Sequence, residues 1–248
     1  MKEMRRLLAL LLMAASLHTA KAQVVVLHMA GNQTIEYNIS QLDSITFDAH
    51  EWVDLGLPSG TLWATCNVGA SSPEEYGDHY AWGETKHKEK YNWNTYKYCE
   101  GTYSTMTKYC TNSSYGNVDE KEELEAEDDA ASANWGEGWQ MPSLTQLMEL
   151  LNNDFTSPIW TQYNGVNGLL VTSKSNGNSI FLPAANYSSE TSIYEEPNTF
   201  GMYWSRTLVK NQPNNACRMD FSSGFLTTSI NGSRCSGLSV RPVRVKKQ

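Results

Sequence analysis

Residues 178–187 read NSIFLPAANY. Ile180, Phe181 and Leu182 form an apolar run with no polar partner face, the pattern of a strand buried on both sides. Pro183 has no N–H to give to a ladder, so pairing ends there. The segment Gly168–Lys174 precedes it across Ser175–Asn178, whose central Asn-Gly predicts a tight hairpin. Gly201–Val209 and Gly237–Val245 follow as further strand segments.

The compartment is read from the other end of the chain. Lys2, Arg5 and Arg6 precede an apolar run from Leu7 to Leu17, too short for a permanent membrane span. His18–Ala22 then carries the small-x-small pattern of a signal peptidase site, so residues 1–22 are expected to be a cleaved leader and the protein to be exported. No cysteine follows the site, so no lipoprotein anchor is expected, and no later run is apolar enough to span a bilayer. The full chain carries 19 basic and 27 acidic residues. Without Lys2, Glu3, Arg5, Arg6 and Lys21 these become 15 and 26, a net charge of −11. That balance argues against a nucleic-acid partner or an anionic membrane surface.

Residues 23–50 read as a small β-hairpin segment, Val24–Met29 against Thr34–Ile39, packed on the main domain or offering an edge to a partner. A main domain is expected over 51–248. Trp52–Leu55 and Thr61–Thr65 flank the turn Leu57–Gly60. Ser71–Asn117 is long, polar and rich in aromatic residues, and loops of this length are usually functional or tied down. Asp128 or Asp129 can cap a helix starting at Ala130. A second helix follows Pro142: Ser143 and Gln146 form a capping box, and Leu144, Leu147, Met148 and Leu151 share one face. Alternating strands and a further Asn231-Gly232 turn complete the chain. Helices in the middle with strands on both sides predict an α+β class, mostly antiparallel with two short helices. Trp63, Trp135, Trp139 and Trp204 read as core, and Trp82 as packing.

Ordered blocks through residues 51–245 carry a resemblance: WVDLGLPSGTLWATCNVGA at 52–70, YAWGET at 80–85, DDAA and NWG at 128–136, WQMPS at 139–143, NGVNG at 164–168, NGNSIFLPAA at 176–185, YWS at 203–205 and SVRPVR at 239–244. Together they resemble the Fibrobacter major paralogous domain family of exported bacterial proteins. The resemblance implies a C-type-lectin-like fold and kinship in shape with formylglycine-generating enzymes. Gln140 and Ser143 stand where that family usually shows Arg and Thr.

Ligand contacts are expected from the loop aromatics Trp93 and Tyr96, and from Tyr194, Glu196, Asn198 and Asn214. Glu196-Pro197-Asn198 matches the tripeptide with which mannose-type C-type lectins hold calcium and sugar hydroxyls. The lectin site also needs Trp-Asn-Asp on the next strand, where this chain has Met219-Asp220-Phe221. A Pro/Asn turn between strands explains the same letters, as it does at the looser echo Gln212-Pro213-Asn214. No resident cofactor is expected, with calcium the one ion in view.

Five cysteines follow the leader, none at zinc spacing. Cys99–Cys110 could tie the long loop and Cys217–Cys235 could bridge neighbouring strands, leaving Cys66 reduced. His79 and His87 have no nucleophile at a recognisable spacing, so no catalysis is expected. The resulting expectation is a non-catalytic binding or surface-display module for a glycan or another surface protein. A structural subunit of a surface assembly is the alternative, and a formylglycine-enzyme-like oxidase comes third.

Overall fold

A computed structural model describes residues 24–28, 34–38, 50–189, 192–193 and 198–245. Two compact units, Met1–Ala49 and His50–Gln248, divide the chain. In the first, β1 (Val24–His28) pairs antiparallel with β2 (Thr34–Asn38), from Val24 opposite Asn38 to His28 opposite Thr34. This is the hairpin expected from the alternating pattern there.

The second unit opens with β3 (Trp52–Asp54) and β4 (Thr61–Ala64), joined through the Leu57–Gly60 turn. Two short helices follow the long loop: α1 (Ala130–Trp135) and α2 (Leu144–Leu150). Next come β5 (Thr156–Tyr163), β6 (Val166–Ser173) and β7 (Ser179–Pro183), then the short pair β8 (Ser188–Ser189) and β9 (Ser192–Ile193). The chain ends in β10 (Phe200–Leu208), β11 (Asn215–Ser222), β12 (Leu226–Ser233) and β13 (Val243–Val245). The three-stranded sheets run β13-β4-β3, β5-β6-β7 and β10-β11-β12, all antiparallel. The mixed α+β class with mostly antiparallel sheets and two short helices is therefore the observed one.

Local chemistry explains most boundaries. Asp129 caps α1 by accepting from Ser132 N at 3.0 Å, while its second oxygen accepts from Met141 N at 2.8 Å. Ser143 and Gln146 form the reciprocal capping box at the start of α2. Ile180, Phe181 and Leu182 of β7 are all buried, and the ladder with β6 ends at Gly168 opposite Pro183. Asn164 (φ 49°) and Gly165 (φ 83°) form the two-residue turn between β5 and β6, where both residues need the left-handed region.

The Asn231-Gly232 turn is not formed. Both residues lie inside β12, with Gly232 opposite Ala216, and the reversal from β11 comes earlier, at Ser223–Phe225. Gly232 is a glycine for another reason: a Cβ there would meet the Trp204 ring and the Ala216 carbonyl.

Two buried clusters form the core. One gathers Leu55, Trp63, Leu147, Leu150, Ile180, Leu182, Tyr203 and Phe221 between α2 and the sheets. The other is built from the long loop itself, with Tyr80, Trp82, Tyr91, Tyr96, Tyr98, Met106 and Tyr109 packed around Trp204 and Leu238. The polar-looking loop is thus a second core.

Candidate functional site

Two arginines fix the irregular segments. Arg234 is fully buried among the rings of Trp82, Tyr96 and Tyr109. Its guanidinium donates to Tyr96 Oη (2.7 Å) and to the carbonyls of Pro213 (2.7 Å), Tyr109 (2.9 Å) and Lys108 (3.0 Å). Arg241 is buried likewise and donates to Asn67 Oδ1 (2.9 Å) and to the carbonyls of Ala64, Thr65 and Phe181. No carboxylate takes part in either set of bonds. Oriented carbonyl dipoles and ring faces supply the negative potential instead.

This arrangement decides the fate of the expected ligand residues. Tyr96 is 3% exposed, and its hydroxyl donates to Trp82 O at 2.7 Å while accepting from Arg234, so it packs and offers no face to a ligand. Trp93 is half-buried and meets Tyr96 edge-on at 5.6 Å. Asn214 lies in the same neighbourhood, its carbonyl accepting from Arg234 N at 3.1 Å. Asn198 belongs to a different clasp. Its side-chain oxygen accepts from Asn167 N, its carbonyl accepts from Asn167 Nδ2 at 2.9 Å, and its own N–H donates to Ala184 O. That side-chain oxygen is thus engaged in holding the Asn167 backbone. Tyr194 and Glu196 lie outside the described residues. Asp220, the carboxylate on the following strand, is buried and paired with Arg218 at 2.8 Å; burial raises its pKa despite that partner.

The two expected disulfides are not formed, and all five cysteines are thiols. Cys99 turns its Sγ toward Trp93 O (3.1 Å), whereas Cys110 points to Asn112 O (3.2 Å). Backbone pairing of Cys99 with Met106 and of Met106 with Gly116 ties the loop without a covalent link. Cys217 sits at the bulge between Ala216 and Arg218, its Sγ toward Leu208 O, while Cys235 lies past the end of β12 against Ser233 Oγ. Misreading the β11–β12 turn caused that pairing to be expected. Burial pushes the Cys217 thiol up to about 11, which leaves it a poor nucleophile. Cys66 is half-buried, with its Sγ 3.4 Å from Ala70 O.

Three constellations could carry chemistry. Glu125, Glu127 and Asp128 converge as metal ligands do, but Lys108 Nζ occupies their focus at 2.6, 3.2 and 2.6 Å. Asp128 is buried, yet Lys108, Tyr98, Tyr109 and Lys97 all donate to it and outweigh desolvation, holding its pKa at about 2. The cluster is closed by its own cation and does not suit calcium, which needs six or more oxygens around an open focus.

The second constellation joins His79 Nδ1 and Ser188 Oγ at 2.9 Å, a partner the linear sequence gives no sign of. Burial pushes the imidazole down to about 4, so the ring is neutral at pH 7 but a weak base. His79 Nε2 is buried without a hydrogen-bond partner. A serine nucleophile needs its histidine oriented by an acid at that nitrogen, and this pair lacks one.

The third is a cleft of about 640 Å³ bordered by Glu127, Ser132, Glu137, Trp139 and Gln140. Ser132 Oγ donates to Trp139 O at 2.7 Å, and Gln140 Oε1 accepts from Arg206 at 2.7 Å. A row of rings adjoins it: His50 stacks on Trp135 at 3.7 Å, and Trp135 meets Trp139 edge-on at 5.0 Å. The Arg244 guanidinium lies 5.3 Å from the Trp139 ring and 5.0 Å from that of Trp52, which is 46% exposed. Trp139 is buried as expected, whereas Trp135 is only half-buried. Sequence reading placed these tryptophans in the core and missed the cleft, because the Gln140–Val243 bridge and the Arg244 contacts with Trp139 and Trp52 that assemble it are non-local. No family profile, curated protein or solved structure matches the chain.

Proposed function

We propose that the chain is an exported, non-catalytic binding module related to the Fibrobacter major paralogous domain family, with a C-type-lectin-like arrangement, and that its ligand is a glycan. The observation that carries this reading is the cleft at Trp139, where the carboxylates of Glu127 and Glu137 border the opening and the Arg244 guanidinium lies near both the Trp139 ring and the exposed Trp52. Glycans are bound by that pairing of chemistries: polar groups hold the hydroxyls and a ring face covers the C–H side of a sugar. We assign the contact surface to this cleft rather than to the two loops expected to carry it, Ser71–Asn117 and Ser188–Thr199, since most aromatics of the first are spent on packing. A glycan array with the purified protein tests the proposal. Trp52→Ala and Glu137→Ala should each weaken the best hit by about tenfold while leaving the melting temperature unchanged. A blank array together with a productive pull-down from the cell envelope would move the assignment to a protein ligand.

A structural subunit of a surface assembly is the second reading, favoured by the β1–β2 hairpin forming a compact unit of its own. Deleting residues 23–49 would then abolish assembly and leave the second unit folded.

A further inference from the structure

The outer strand of the C-terminal sheet stands apart from the rest of the surface. Among the described residues β12 has a single neighbour, β11, so its far side is a sheet edge eight residues long. Proteins usually blunt such an edge with proline or charge. The other long outer strands are protected: β10 is met on its outer side by bridges to Asn186, Ser239 and Glu123, and β5 carries Pro158 at its centre, opposite Val171. β12 is not. From Ser222 to Ser233 there is neither a proline nor a charged residue. Phe225 and Leu226 are exposed there (50% and 36%), and Met148 of α2 (55%) faces the same groove, with Leu151 and Thr228.

The hydrogen-bond phase of this edge can be worked out. Ser222 N donates to Phe225 O at the turn, so that pair exchanges ladder bonds. Antiparallel pairs alternate. With Phe221 opposite Leu226, Asp220 opposite Thr227 and Met219 opposite Thr228, the N–H and C=O groups of Leu226 and Thr228 therefore point away from β11.

We infer that this edge binds a second copy of the chain, β12 against β12, antiparallel about a two-fold axis at Thr227. In that register Leu226 of each copy exchanges two hydrogen bonds with Thr228 of the other, four in all, and the two Thr227 residues face each other as a non-bonded pair. The sheets join into one of six strands. A second copy fits because the edge is its own complement: the outward N–H and C=O groups of Leu226 and Thr228 lie symmetrically about Thr227, and no charged residue from Ser222 to Ser233 opposes an identical strand.

Sedimentation of the protein from low micromolar to millimolar concentration reads the result. The expected outcome is a shift from one chain mass to two. Thr228→Pro removes an N–H that β11 does not use, and Thr227→Lys sets two ammonium groups face to face. Both should raise the dimer Kd at least tenfold while preserving the circular dichroism of the wild type. Thr227→Cys should become covalently dimeric through a 227–227 bond on mild oxidation, since facing Cα atoms of a non-bonded pair lie about 4.5 Å apart. The wild-type chain should stay monomeric in denaturing gels under the same oxidant. A monomer at every concentration, or a dimer that none of these variants disturbs, overturns the inference. So does an edge that captures only unrelated extended peptides.

Discussion

Arg234 shows how much one side chain can hold. Its guanidinium sits in a fully buried position and satisfies three backbone carbonyls and a tyrosine hydroxyl at once. Arg234→Met leaves those acceptors buried and unpaired, and we expect it to lower stability by about 3 kcal/mol or more in urea titrations. Arg234→Lys should recover little of that loss, because a single ammonium cannot span acceptors arranged for a planar fork. Recovery close to wild type would show that charge alone matters. The sequence betrays little of this: an arginine two residues past a glycine reads as an ordinary strand residue. Tyr96 and Asn198 likewise bond to backbone remote in sequence, which nothing local announces.

At the level of elements the sequence is far more legible. Both helix starts are written in short-range chemistry, Asp129 for α1 and the Ser143–Gln146 box for α2, and both form as expected. Ser143→Ala should cost about 1 kcal/mol. Gln146→Ala should cost more, because Gln146 Nε2 also donates to the buried Thr61 Oγ1 at 2.9 Å and ties α2 to β4. Comparing the two variants by thermal melting tests this order, and equal losses would contradict it. The Ser175–Asn178 hairpin was readable from Asn-Gly, yet the same dipeptide misleads at 231–232. There the glycine answers a crowding Trp204 ring, and nothing local distinguishes the two cases. Strand partners such as β13 on β4, separated by most of the domain, leave no local signature either.

Over the whole molecule, acid stability should be governed first by His79. Its folded pKa of about 4 lies below the unfolded value near 6.5. The unfolded chain therefore takes up a proton that the folded one refuses, and stability is full above about pH 6.5 and falls as the pH drops toward 4. From pH 7 to 5 this amounts to at most about 2 kcal/mol, and His79→Gln should flatten that part of the curve. Asp128, held at about 2, adds a later loss as the pH falls below its ordinary carboxylate value. Buried Asp129 and Asp220 have raised pKa values and act in the opposite sense in that acid range. Chemical denaturation at several pH values checks the order, and a flat wild-type curve between pH 7 and 5 would refute it. The carbonyl-only grip of Arg234 and Arg241 has an evolutionary corollary. Any amino acid contributes the same carbonyl, so at Thr65 and Pro213 the anchor tolerates any residue that keeps the backbone course. Exposed stretches between anchors, such as Thr102–Ser104, are then free to change in sequence without costing the protein its shape.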